Sequence, residues 1–189
     1  MELNHRTTNG HICFFYNSTQ ERAELLAEYF RQGIASNQYC IFATNDSPPA
    51  AIKQFAAAQF DAAAAVASGS MHIFEMNQVY LQGGQFEAAY MLNNVSSFIE
   101  DAKSLGFSGL RTAGEMSWIS EHPEADAEAK AYERDVNLLT AKHPDFVGLC
   151  LYPNANVFSS ALTTALHTHP TLMQEERIKT NPYYQAVTV

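Results

Sequence analysis

Apolar positions along the chain fall into two alternating patterns: compact runs, and longer stretches in which apolar residues recur every three or four positions. His11–Tyr16 (HICFFY) is a run of aromatic and aliphatic residues between Asn9-Gly10 and Asn17-Ser18, the pattern of a strand buried on both faces. Residues 39–44, 71–75 and 146–152 (FVGLCLY) read as further strands, and 109–114 as a weaker one because two glycines lower its propensity. Between the runs, Ser18 and Thr19 offer N-caps to a helix carrying Ala23, Leu26, Ala27 and Phe30, with Gly33 as its expected C′ residue. A second helix starts at Asn45-Asp-Ser-Pro-Pro49 and carries Ile52, Phe55 and Phe60; the alanine-rich stretch 56–67 is explained by helix propensity. Helices are also expected over 86–104, closed by Leu105-Gly106, over 123–142, and over 157–167, ended by His169-Pro170.

Strands alternating with helices of this length imply right-handed crossovers. The expected fold class is therefore α/β: one domain over residues 1–189, with a mainly parallel central sheet of at least five strands flanked by helices in three layers. Residues 1–9 and 175–189 read as tails that are flexible or packed on the domain.

Composition narrows the function classes. Hydrophobic residues make up 47% and charged residues 16% of 189 positions, the balance of a globule with a sizeable core. The formal charge of -9 repels a phosphate backbone and an anionic membrane surface, so no nucleic-acid or membrane partner is expected. Cys13, Cys40 and Cys150 are an odd number, which favours a reduced, cytoplasmic protein over a disulfide framework. The start of the chain lacks an apolar export segment, and no stretch approaches 18 uninterrupted apolar residues.

In open parallel sheets ligands sit beyond the carboxyl ends of the strands, where this chain places several aromatics. After the first strand a phosphate loop would need glycines and a lysine, but the chain reads Tyr-Asn-Ser-Thr-Gln-Glu-Arg-Ala, with Glu21 opposing a phosphate at the helix start. GxGxxG, a Gly-x-Ser-x-Gly elbow and a His-Glu-x-x-His pair are likewise missing, so no enzymatic turnover is expected. His11, Cys13, His72, Cys150 and His169 carry donors that suit zinc or iron, and His11 and Cys13 share a strand face, but their spacing is not diagnostic. Buried structural cysteines are the expectation, with no metal or cofactor, and their apolar neighbours argue against a nucleophilic thiol. The densest polar and aromatic stretch is Gly109-Leu-Arg-Thr-Ala-Gly-Glu-Met-Ser-Trp118, which reads either as a ligand site or as an internal arginine-to-acid bridge under a core-capping indole.

Seven segments in register resemble the MEDS domain family, the methanogen/methylotroph, DcmR sensory domain of prokaryotic signalling. They are His11–Tyr16, Gly33 with Gln38-Tyr-Cys40, Val79-Tyr-Leu-Gln-Gly-Gly-Gln-Phe86, residues 109–118, Tyr132-Glu133 with Asn137, Leu149-Cys-Leu-Tyr-Pro153, and His169-Pro170. Two positions depart from the family pattern: Gln38 stands where an acid is expected, and Glu115 where an aspartate is frequent. The resemblance implies a RecA/KaiC-like fold without its phosphate loop and a sensory role toward a small molecule, a simple hydrocarbon derivative or small metabolite. Such domains usually accompany a kinase or DNA-binding module, for which these 189 residues leave no room. Output is therefore expected through a partner such as a histidine kinase or transcription regulator, or through a homo-oligomer.

Carried over by position, the expected ligand-binding residues are His11, Cys13, Tyr16, Tyr80, Arg111, Glu115, Trp118, Cys150 and Tyr152. Trp118, Tyr16, Tyr80 and Tyr152 would form an apolar wall, and Arg111, Glu115 and His11 would orient the ligand. His169 is alternatively a cap for its helix C-terminus. Competing readings are a protein-interaction or oligomerisation module without its own ligand, and a degenerate nucleotide-binding protein.

Overall fold

The computed structural model describes residues 10–156, 159–174 and 177–186, so the expected N-terminal tail, the start of the helix placed at 157 and the last three residues lie outside it. The strands are β1 (His11–Tyr16), β2 (Gln38–Thr44), β3 (Met71–Glu75), β4 (Gly109–Glu115), β5 (Phe146–Pro153), β6 (Thr171–Gln174) and β7 (Arg177–Thr180). They form one sheet in the order β3-β2-β4-β5-β1-β6-β7, parallel throughout except for the antiparallel β6–β7 hairpin. The helices are α1 (Thr19–Ala35), α2 (Pro48–Ala57), α3 (Ala62–Ala67), α4 (Met76–Val79), α5 (Ala88–Ser104), α6 (Trp118–Glu121), α7 (Asp126–Lys142) and α8 (Ser159–Thr168). The architecture is the α/β sandwich that the strand-helix alternation predicts.

Pleating sorts the strand residues into two cores. Ile12, Phe14, Cys40, Phe42, Ala113, Leu149 and Leu151 face α1, α2 and α3, where Leu26, Tyr29, Phe30 and Phe55 meet them. Cys13, Tyr39, Ile41, Leu110, Phe146, Cys150 and Tyr152 face the other layer, where α5 presents Met91, Val95, Ile99 and Ala102 at helical spacing. With both faces covered, the central strands read as continuous apolar runs, which is why the sequence reveals them.

Three local expectations are corrected. Gly33 does not end α1: the helix continues to Ala35, and Asn37, at φ +54°, takes the left-handed conformation after it. Gly33 is instead a packing site, since a Cβ there would lie 2.6 Å from Arg111 Cδ and 2.9 Å from Cys40 Sγ. The alanine-rich stretch is broken between α2 and α3, where Gln59 has φ +59° and Asp61 caps α3 through the Ala64 N–H at 2.9 Å. The segment after Gln174 is not only tail: it supplies β7, and Asn181 Nδ2 donates to the carbonyls of Leu166 and His169 at the end of α8. No helix among the described residues is long and apolar enough to cross a membrane.

The seam between β1 and β5 fixes the register that matters below, pairing Cys13 with Cys150 and His11 with Gly148. It closes through Gly148 N–H donating to Gly10 O at 2.6 Å, and a Cβ on Gly10 would lie 2.3 Å from the Phe146 carbonyl oxygen. Backbone cannot yield there as a flexible side chain would. Gly10→Ala is therefore expected to destabilise the protein by about 2–3 kcal/mol in urea unfolding, whereas Gly69→Ala, with nothing within 4 Å, should cost only the strain of its φ of +75°.

Candidate functional site

The pleat divides the nine expected ligand residues between the two faces. Tyr16, Arg111 and Glu115 lie on the α1 face with Ile12, Phe14 and Ala113, while His11, Cys13, Cys150 and Tyr152 point toward α5 and α7, where Tyr80 and Trp118 also pack. Arg111 and Glu115 share β4 but stand four residues apart, about 13 Å along the strand. Arg111 lies under α1, with Nε donating to Gln38 Oε1 at 2.7 Å and its guanidinium 4.5 Å from the Tyr29 ring centroid. The structure therefore does not place it beside Glu115.

Glu115, at the carboxyl end of β4, has another cation. Arg22 of α1 donates from Nη1 to Glu115 Oε1, and from Nη2 to Asp46 Oδ2 and Gln54 Oε1, both at 2.6 Å. Tyr16 O–H donates to the same Oε1 at 2.9 Å, and Oε2 accepts from Thr44 O–H at 2.6 Å and from the Asn45 N–H at 2.7 Å. Burial first, then the Glu115 charge and hydrogen bond, push the Tyr16 phenol well above its ordinary pKa. Burial opposes ionisation of Asp46, but its bonds from Arg22 and Gln54 outweigh that and hold its carboxyl below the usual range.

At the turn itself, Glu21 Oε2 accepts the Asn17 N–H at 2.7 Å. The end of the sheet where a phosphate loop would lie is thus filled by the protein's own side chains. The arginine-to-acid bridge foreseen within residues 109–118 is not made by Arg111 with Glu115; Glu115 is bridged from outside that stretch, by Arg22.

The opposite face holds a cavity of about 40 Å³ between the sheet and α5 and α7. Its floor is made of small residues, Thr112, Gly114 and Gly148, on adjacent strands; its walls include Ile41, Met91, Val95 and Val136, with His11, Cys150 and Tyr80 at its edge. Tyr80 lies directly over Gly114, where a Cβ would meet its hydroxyl oxygen at 2.1 Å. Trp118 stacks on Phe86 with centroids 4.5 Å apart and lies 5.6 Å from Tyr80; its indole N–H is buried without an acceptor among the described residues.

His11 and Cys150 also belong to a fully buried polar cluster that the sequence reading did not assemble. Its centre is Glu133 of α7, whose Oε2 lies 3.0 Å from His11 Nε2, 3.2 Å from His169 Nε2 and 3.6 Å from Cys150 Sγ. Tyr152 O–H donates to Oε1 at 3.4 Å. Glu133 resists ionisation through burial, but the two imidazoles prevail and keep its carboxyl below the ordinary range. Burial and then the neighbouring His169 lower the pKa of His11. Burial, followed by the Glu133 charge, raises both Cys13 and Cys150 well above the usual thiol range, and burial pushes Cys40 up to about 12. The shifts favour the protonated thiols over the reactive thiolates.

Of the five donors considered for a metal, His11, Cys150 and His169 converge on Glu133. Cys13 packs nearby with its Sγ 4.0 Å from Ala165 O, and His72 is remote, on edge strand β3 against Tyr39. His169 also caps α8 as anticipated, since its Nδ1 lies 2.8 Å from Ala165 O. Glu133 was legible in principle: with Ala129, Tyr132, Val136, Asn137 and Thr140 it falls on the buried stripe of α7, an acid where the period demands an apolar residue.

The MEDS family, "MEthanogen/methylotroph, DcmR Sensory domain", matches residues 10–170. No curated protein matches the sequence. Among solved structures, a KaiC-like protein from the hyperthermophilic archaeon Pyrococcus horikoshii OT3 superposes with a TM-score of 0.62 over 96% of this chain and 84% of that one, at 9% identity, a likeness of fold.

Removing the cation from the Glu115 network isolates a buried charge. Arg22→Met is expected to destabilise the protein by about 3–5 kcal/mol in urea unfolding. The Arg22→Met, Glu115→Gln double variant should recover part of that loss, because the orphaned charge goes with its partner.

Proposed function

Because the chain belongs to the MEDS family of sensory domains, we propose that it binds a small molecule in the cavity beneath α5 and α7, and that the occupied state is passed to a signalling partner. The observation that carries this reading is the cavity itself: an apolar chamber on one sheet face, edged by His11, Cys150 and the Tyr80 hydroxyl. A few convergent polar groups in an apolar wall are what a site needs to orient a small ligand. A volume of about 40 Å³ accommodates roughly three water-sized groups, hence a compound of a few non-hydrogen atoms. That size agrees with a simple hydrocarbon derivative bearing one heteroatom.

The reading is non-catalytic. All three thiols are buried with raised pKa, and the Arg22–Glu115 network fills the strand ends that a nucleotide would need. Of the expected ligand residues, His11, Cys150 and Tyr80 line the chamber, and Cys13, Tyr152 and Trp118 support it from behind. Tyr16, Arg111 and Glu115 serve the other face.

Gly148 offers the test. The nearest atoms to a Cβ there are the Phe146 ring edge at 3.3 Å and Thr112 Oγ1 at 3.6 Å, and Gly148 lines the chamber, so Gly148→Val adds side-chain volume at its floor. In a thermal-shift screen of short alcohols, aldehydes, thiols and halogenated hydrocarbons, a true ligand at a hundred times its Kd adds about 2.7 kcal/mol. That corresponds to a Tm rise of about 5–10 °C for a domain of this size. Gly148→Val is expected to abolish the rise while keeping its own unliganded transition. A screen without any stabilising compound, or an equal rise in the variant, would overturn the proposal.

A further inference from the structure

We propose that His11, Glu133, Cys150 and His169 form a binding site for one divalent transition-metal ion, with zinc favoured by the donor set. The site stands on its own geometry, whether or not the adjoining chamber takes a ligand.

The first argument is hydrogen-bond bookkeeping on the two imidazoles. His169 Nδ1 lies 2.8 Å from Ala165 O, an acceptor only, so that nitrogen carries the proton. Asn137 donates both its amide bonds elsewhere, to Thr168 O at 2.7 Å and Glu133 O at 3.3 Å, and turns Oδ1 to His11 Nδ1 at 3.1 Å. That nitrogen too is the protonated one. Each ring, held through Nδ1, therefore turns its Nε2 to the same carboxylate oxygen, from 3.0 and 3.2 Å. A buried carboxylate met by two ring nitrogens needs positive charge at that point, which protons on Nε2 or a metal ion in their place supply.

The second argument is shape. Four-coordinate zinc with bonds of about 2.0–2.3 Å holds nitrogen and oxygen donors about 3.3 Å apart, and sulfur about 3.5 Å from either. The structure has 3.0 and 3.2 Å for the two nitrogen-to-oxygen edges. It has 3.6 Å for two of the three sulfur edges, to His11 Nε2 and to Glu133 Oε2, while the edges from His169 Nε2 to Cys150 Sγ and to His11 Nε2 are bounded only by the 4.8 Å span of the group. The four ligand atoms lie within 4.8 Å of one another.

The third argument is charge. When Cys150 binds as the thiolate, its proton passing to solvent, Cys150 and Glu133 together neutralise a divalent ion and leave a net-neutral complex in the apolar interior. The outer contacts are also those of a metal site: each imidazole is held through Nδ1, and Tyr152 bonds the second carboxylate oxygen. The ligands come from β1, α7, β5 and the segment between α8 and β6, so one ion ties four elements together.

Cobalt(II) titration of the chelator-stripped full chain tests the site. A saturable one-to-one complex is expected, with the intense visible bands of four-coordinate cobalt and a thiolate-to-cobalt charge-transfer band, both bleached by zinc. Cys150→Ser should lose the charge-transfer band, Glu133→Gln should bind at least about tenfold more weakly, and Cys40→Ser, on the opposite face, should match the wild type. Absence of a one-to-one complex in the wild type overturns the proposal, whatever the variants do. So does a charge-transfer band that survives Cys150→Ser or vanishes in Cys40→Ser.

Discussion

A sheet covered by helices on both faces leaves its polar side chains no water, so every buried acid must find its donors inside the fold. Among the described residues two such acids are buried against the sheet, Glu115 and Glu133, one on each face. Their solutions differ. Glu115 receives a guanidinium, two hydroxyls and a backbone N–H, all of them groups that can donate to a carboxylate. Glu133 receives a tyrosine hydroxyl, a thiol and two imidazoles, and each imidazole already uses its N–H to bond a neighbouring oxygen. The first set is complete in itself; the second gathers the donor types that a transition-metal ion takes.

That difference bears on where function sits. In a fold of this class the strand ends are the usual ligand site, yet here they are closed by Arg22, Glu21 and Tyr16. Packing on the other face is loosest where Gly114, Thr112 and Gly148 place little side chain under α5 and α7. The space between sheet and helices thus lies at the middle of one face rather than at the strand ends. This placement follows from side-chain volume and needs no change of topology.

Much of the fold was legible because strands buried on both faces are continuous apolar runs, and the bounds of β1 and β3 follow directly from theirs. The hairpin of β6 and β7 was not legible: Thr171–Gln174 and Arg177–Thr180 are four residues each and mostly polar, and β6 takes its place by pairing with β1. The site was legible in its residue types but not in its partition. Period two along β1 separates His11 and Cys13 from Tyr16, and along β4 it keeps Arg111 and Glu115 on one face, so the split could have been drawn from alternation alone. Arg22 could not, since nothing local in α1 reveals that it reaches the end of β4. Glu133 was visible as an acid on an apolar stripe, a signal that ranks below a motif only when helix period is ignored.

The position of His169 joins the buried cluster to the rest of the molecule. Its ring faces Glu133 and lies tilted against His11 with centroids 4.0 Å apart, its Nδ1 holds the last turn of α8, and its own carbonyl accepts from Asn181 just beyond β7. Any displacement of this ring therefore moves the end of α8 and strains the contact that ties the β6–β7 hairpin to it. The hairpin is the edge of the sheet, the part of an otherwise covered fold where a change in the interior has the shortest path to the surface. His169 thus links the Glu133 cluster through its own contacts to both α8 and the residue that follows the hairpin, while β1 and β5 are held in register by the Gly10 seam.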